Sequence, residues 1–150
     1  MAVAAERELN RPPSGGRAVH ADPDAPATPE QLPLPAAIAR IPPEDKSPAE
    51  WAYQRLILYI RNFEDQLDPA EEVALGFAGG HAGVLRIEGL GYFAPDLVTF
   101  YGRDDSGAKT QLVQHVSQLS VILRAVPKAE ASGSARRIGF RLAADLDRGR

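Results

Sequence analysis

Two imidazoles, His81 and His115, are the residues in the central part of the chain best suited to acid–base chemistry, because their charge changes near neutral pH. An imidazole base does useful work when a nucleophile lies on one side of it and a carboxylate on the other. Neither histidine stands in a recognisable pairing of that kind. Only a spatial convergence of His81 with Glu88 or Asp96 in a deep pocket would assemble a hydrolase-type site. Cysteine is absent, which removes thiol nucleophiles, thiolate metal ligands and disulfides. Asp104-Asp105 suggests cation binding, but oxygen ligands do not recur after it at the calcium-loop spacing. Gly79-Gly80-His81-Ala82-Gly83 resembles a phosphate-cradling loop in its glycines alone. It lacks the lysine and the serine or threonine, and it joins two strand-like runs instead of opening a helix. The expectation is therefore a non-enzymatic protein with no catalytic residue, no metal and no cofactor.

What would position any binding residues is a run of short strands behind one apolar helix. The 150 residues carry a formal net charge of −3, so there is no blanket attraction to nucleic acid or anionic lipid. The opening MAVAAERELNRPP lacks a signal-type apolar core, and nothing approaches the roughly 18 apolar residues that span a bilayer. A cytoplasmic protein without membrane contact is expected. Ten of the 13 prolines lie at or before Pro48. Proline removes donors and biases its predecessor against helix, so residues 1–46 read as a disordered Pro/Ala-rich arm. Leu32, Leu34, Ile38 and Ile41 form an apolar cluster within it, either a lead-in to the helix or a motif for a protein partner.

Residues 47–128 read as the folded domain. Ser47-Pro48-Ala49-Glu50 is a capping box with proline at the first helical position. Tyr53, Leu56, Ile60, Phe63 and Leu67 then make one stripe down a helix from Pro48 to Leu67. Trp51, Ile57, Leu58 and Tyr59 widen that stripe, so the helix must cover a sheet and touch something more: the arm, the C-terminal segment or another subunit. Strands are expected over 72–77, 84–93, 97–101, 109–115 and 119–126, bounded by turn residues. In the second strand, Val84, Arg86, Glu88 and Leu90 share one parity, and Leu85, Ile87 and Gly89 the other. Gly89 and Gly91 predict a bulge or sharp bend there. The fold class is α+β, with one N-terminal helix on a strongly bent antiparallel five-stranded sheet or barrel. Residues 129–150 read as a linker and a short β-capable segment around Arg136–Leu142, which would add an edge strand, dock on the helix, or serve as a basic nucleic-acid arm.

The blocks AEWAYQRLILYIRNFEDQLD, GVLRIEGLGYFAPDLVTFYGRDDSG and QLVQHVSQLSVILRAVPK resemble a family of small proteins of unknown function, seen mainly in alphaproteobacteria. That resemblance implies no activity. The order helix, five strands, and QLVQH running into a last strand ending at Pro127 is also similar to the Sm-like fold of the RNA chaperone Hfq. That family carries a lysine-histidine pair where Gln114-His115 stands here. The resemblance implies His115 as an RNA-rim residue, while Gln114 cannot neutralise a phosphate.

The contact residues expected for RNA or another partner are Gln114, His115, Arg86, Arg124 and Tyr92. Trp51, Leu58 and Tyr59 are the candidates for a subunit interface. A homo-oligomer is expected, because an apolar helix and a short bent sheet with open edges both favour subunit contact. RNA is the less favoured partner, since acidic residues outnumber basic ones between Ser47 and Lys128. Arg86, Arg103, Lys109 and Arg124 would need to gather on one face to offset that balance.

Overall fold

The computed structural model describes residues 16–77, 83–129 and 133–148. The glycine loop of the phosphate-cradle reading, with His81, lies outside the described residues apart from Gly83. Three helices and five strands follow in order: α1 (Ala36–Ala39), α2 (Pro48–Glu64), β1 (Glu71–Phe77), β2 (Leu85–Phe93), β3 (Leu97–Arg103), β4 (Lys109–His115), β5 (Val121–Pro127) and α3 (Ile138–Asp147). The α+β class holds, with two helices beyond the single one expected. Among the described residues no helix is long and apolar enough to cross a membrane.

Helix α2 starts as the capping box predicts, with the Ser47 side chain accepting from the Glu50 amide. It ends a few residues early, at Glu64, and Asp68 then folds the chain into β1 by accepting from the Ala70 amide. The strands make one antiparallel sheet in the order β4-β3-β2-β1-β5. Strands β2, β3 and β4 form a continuous meander, and β1 pairs with β5 along its whole length. Between β1 and β2 the pairing covers only Ala74 with Arg86 and Leu75 with Leu85. The sheet therefore curls into a half-barrel whose two parts meet at a corner.

The glycine signal in β2 is realised as a register shift between Ile87 and Gly89. The extra residue, Glu88, turns outward and resets the alternation. Leu85, Ile87 and Leu90 all face inward, so the strict parity read from the sequence fails at Leu90. At the same corner β3 approaches closely: a side chain at Gly102 would collide with the Arg86 carbonyl. Inside the half-barrel, Ala49, Ile57 and Ile60 of α2 pack with Val73, Leu75, Leu85, Ile87, Leu90, Val98, Phe100 and Leu142. Phe77 meets Phe100 edge-on at 5.0 Å.

Residues 136–147 depart from expectation. The Arg136–Leu142 stretch, read as β-capable, turns into α3 at Ile138. Its first turn has no side-chain cap of its own. Glu64, buried at the end of α2, supplies one, its two oxygens accepting from the Gly139 and Phe140 amides at 3.0 Å each. An anion at a helix N-terminus is favourable both as acceptor and against the helix dipole. The two helices touch: a Cβ at Gly139 would lie 2.9 Å from the Arg61 Cα. A short apolar run flanked by arginines matches a strand by pattern, and this tertiary cap outweighs it.

The arm is also more ordered than its composition suggests. Residues 16–46 carry two short 3-10 turns, Pro29–Gln31 and Pro43–Asp45, and α1 between them. Ile38 is completely buried. The Tyr59 hydroxyl donates to the Glu30 carboxylate, and Asn62 Nδ2 donates to the Ala27 carbonyl at 2.8 Å. The hydrogen bond to Glu30 pushes the Tyr59 hydroxyl up to about 12. The second contact of the apolar helix is thus met by the arm and by α3 together.

Burial raises the Glu64 carboxyl above the ordinary glutamate range, against the lowering effect of the two amides. A folded state that holds this proton to higher pH loses stability as pH rises through that raised value and regains it as pH falls. Chemical denaturation should show Glu64→Ala destabilised by about 1–3 kcal/mol, because two amides are stranded. The stability difference between wild type and the non-titrating Glu64→Gln should shift in favour of wild type as pH is lowered from neutral.

Candidate interaction surface

Cross-strand register lines up cations that the sequence scatters over four strands. Lys109 pairs with Arg103, Arg103 with Arg86, Arg86 with Ala74, and Ala74 with Arg124. Side chains alternate across a sheet, so one register row lies on one face. Here that is the outer face, remote from the core. Four strand spacings carry the row about 20 Å from one sheet edge to the other. Two carboxylates temper it. Glu72, 4 % exposed, lies 3.5 Å from Arg86 and accepts from the Arg136 amide at 2.9 Å. Glu88, turned outward by the bulge, lies 3.4 Å from Arg103 and 3.5 Å from Arg136. Lys109 and Arg124, at the ends of the row, make no ion pair among the described residues. Five cations against two carboxylates leave the belt positive, although the chain as a whole is acidic.

Beside the row, the Tyr101 ring lies over two residues without side chains. A Cβ at Gly89 would touch Tyr101 Cδ2 at 3.4 Å, and one at Gly91 would lie 3.7 Å from Cε2. The glycines that permit the bend thus also form an open bed for an aromatic ring, which stays 41 % exposed.

The two outermost strands, β4 and β5, do not pair with each other. Each is seven residues long, with one side of its ladder unused among the described residues. Each edge strand exposes a branched apolar side chain, Val113 at 53 % in β4 and Ile122 at 49 % near the start of β5.

The expected contact residues separate into three places. Arg86 and Arg124 fall in the cationic row. His115 sits at the other end of β4, about 20 Å along the strand from Lys109. Tyr92 and Gln114 share an inward row with Val98. The Tyr92 ring meets Tyr53 at 5.0 Å and its hydroxyl donates to Glu50 Oε2 at 3.2 Å, while Gln114 Oε1 is buried without a hydrogen bond. Of the proposed interface residues, Tyr59 holds the arm and the half-buried Trp51 lies between Lys46 Nζ at 4.7 Å and the Arg55 guanidinium at 4.4 Å. Leu58 is half-buried on the same helix.

His115 does find both a hydroxyl and a carboxylate, contrary to the sequence reading. Its Nδ1 is 2.8 Å from Ser117 Oγ and accepts from the Ser117 amide at 3.1 Å; its Nε2 is 3.3 Å from Asp96 Oδ2. The cluster is half exposed. Its geometry closes the 3-10 turn Val116–Gln118 and fastens it to the β2–β3 turn, where the Val116 amide also donates to the Asp96 carbonyl at 2.8 Å. In the β3–β4 loop, Asp104 accepts from the Ser106 hydroxyl and from the Ser106 and Ala108 amides. These bonds, that to the Ser106 side chain foremost, hold its carboxyl below the usual range. Its Oδ1 is engaged by the turn, and the described residues contain no cluster of three or more metal-ligating side chains.

A family model described as a family of unknown function, DUF6173, matches residues 44–141, about two thirds of the chain. The chain belongs to the DUF6173 family. No curated protein and no solved structure matches it. The DUF6173 match opens just before α2 and closes inside α3. It therefore contains the whole cationic row, both free edges, and the Glu64 and Glu72 contacts to the C-terminal segment.

Three residues that matter most in this DUF6173 chain take roles other than the sequence predicts. Glu64, expected on the wet side of the helix, and Glu72, expected at a strand start, are buried, and Arg136, expected in a β-capable segment, lies just before α3. Glu72 carried a weak signal, a carboxylate beside Val73 in a strand otherwise free of charge beyond its first two residues. If His115 closes a turn and plays no part in ligand contact, His115→Ala should cost about 0.5–1 kcal/mol in urea melts, in the range of a lost cap. It should leave binding of any polyanion unchanged.

Proposed function

We propose that this chain is a non-enzymatic binding module that assembles with copies of itself through the two free edges of its sheet. The observation that carries the reading is the pair of free edges, each with an exposed apolar side chain. Soluble proteins usually blunt edge strands with charge, proline or a covering element. Here Lys109 guards the start of β4, and Arg124 and Pro127 the middle and end of β5, while Val113 and Ile122 stay exposed beside them. Two edges of equal length on one curled sheet favour a head-to-tail contact, β4 of one copy beside β5 of the next. We read the fold as Sm-like. The support for this is the four-strand meander, the return of β5 onto β1, the 3-10 turn before β5, and a helix packed on the open half-barrel. With no cysteine in the chain, a reducing cytoplasmic setting suits it.

Light scattering after size exclusion, at tens of micromolar protein, should give a mass above that of one chain. Val113→Lys combined with Ile122→Lys places like charges on both edges and should return the protein to a monomer with an unchanged far-UV spectrum. A wild-type protein that stays strictly monomeric would overturn the assembly.

A second reading is favoured by the cationic row: a single-stranded RNA backbone lying across the outer face, with Tyr101 offering a stacking surface. Assembly through β4 and β5 would carry the row from Lys109 of one copy toward Arg124 of the next. Anisotropy with a short labelled oligouridine at low salt should show binding that weakens steeply as salt rises. Lys109→Ala with Arg124→Ala should abolish it, and Glu72→Gln should strengthen it. No retention of oligouridine at low salt removes this reading and leaves self-assembly standing.

A further inference from the structure

The register row next to the cationic one is of a different kind. Gln111 pairs with Tyr101, and Tyr101 with Gly89, which sits beside the bulged Glu88. Tyr101 and Arg103 are two residues apart on β3 and both exposed, so the two rows share the outer face. Gln111 and Glu88 therefore stand on opposite sides of Tyr101, their backbones about 5 Å away, one strand spacing. Arg103 follows about 7 Å along the same strand. A base laid on the Tyr101 ring turns its edges toward Glu88 and Gln111, and its phosphate, one sugar away, comes within reach of Arg103. Glycine at positions 89 and 91 leaves that side of the ring free of neighbouring side chains from β2.

The two flanking side chains differ in what they accept. Gln111 offers a donor and an acceptor and suits any base, whereas the Glu88 carboxylate only accepts. Its ion pairs to Arg103 and Arg136, at 3.4 and 3.5 Å, are longer than ordinary hydrogen bonds, and it is 36 % exposed. It therefore has lone pairs to offer an incoming donor. Of the four RNA bases uracil alone lacks an exocyclic amino group. It shows a carbonyl in that place, and its one edge N–H lies between two carbonyls. A carboxylate attracts the amino group and repels the carbonyl. The same exposed carboxylate disfavours an acidic peptide, which has nothing to donate there.

The geometry points to a base-reading subsite at Tyr101, with Glu88 setting its specificity, so that single-stranded RNA bearing cytosine or adenine is preferred to oligouridine. This rests on the reading of the cationic row as a track for an RNA backbone and adds base choice to it. Oligouridine still binds through the row, more weakly.

The test compares labelled oligocytidine and oligouridine of equal length by anisotropy at one low salt concentration, since cytosine carries the amino group where uracil carries a carbonyl. Oligocytidine should bind about tenfold tighter. Glu88→Gln places an amide donor beside the ring, so it should tighten oligouridine more than oligocytidine and bring the ratio close to one. Tyr101→Leu should weaken both oligomers about tenfold. Both substitutions are at exposed residues and should leave the far-UV spectrum unchanged. Poly-L-glutamate should displace oligocytidine less effectively than unlabelled oligocytidine does. The subsite is overturned, with the row left standing, by any of four results: equal affinity for the two oligomers, a ratio untouched by Glu88→Gln, binding untouched by Tyr101→Leu, or equal displacement by poly-L-glutamate. Failure of both oligomers to bind removes the row reading and the subsite together.

Discussion

The corner between β1 and β2 is the constraint on which the rest of the molecule depends. Only two residue pairs join the strands there, so hydrogen bonding alone leaves two separate ribbons, one of three strands and one of two. What holds the ribbons at a fixed angle is apolar burial. Ile57 and Ile60 of α2 fill the trough between Val73 and Leu75 on one side and Leu85, Ile87 and Phe100 on the other. Fully burying side chains of this size is worth about 1.5–3 kcal/mol each. The bulge at Glu88 and the bare Gly102 let the backbones turn the corner without a clash.

The helix cannot do this alone, because its apolar surface wraps around more than one side. Its far flanks are finished by the two ends of the chain. Tyr59 and Asn62 receive the arm, and Glu64 receives the first turn of α3. A central helix clasped from both ends explains how a proline-rich arm with little apolar content can still be placed. It borrows its partners from α2 through a few polar contacts and one buried residue, Ile38.

The parts of this arrangement legible in the sequence are those governed by local rules. The Ser47 cap, the stripe from Tyr53 to Phe63, the five strands and the turns at Ala94–Asp96 and Val116–Gln118 all follow from neighbours a few residues apart. The inward turn of Leu90 could not be read, because a bulge announces itself by glycine but does not say which residue is extra. Helix α3 was hidden for a different reason. Its cap comes from Glu64, 75 residues earlier in the chain, and nothing local in Arg136–Leu142 signals it. The surface shows the same division. Arg86, Arg103, Lys109 and Arg124 were visible as cations, but only register makes them a row, whereas His115 looked like a contact residue and serves as a fastening between two turns. Gln54 is one of several polar residues on α2, and its burial becomes visible only when the surrounding walls are in place.

One feature of α2 has a practical consequence. Trp51 is the sole tryptophan of the chain, and its indole is held between Lys46 and Arg55. Lys46 is bonded in turn to the carbonyl of Ile38, the buried anchor of the arm. The indole is thus an intrinsic optical probe, set against the lysine that fastens the arm. Its emission wavelength registers whether the N-terminal segment is seated, with no label attached.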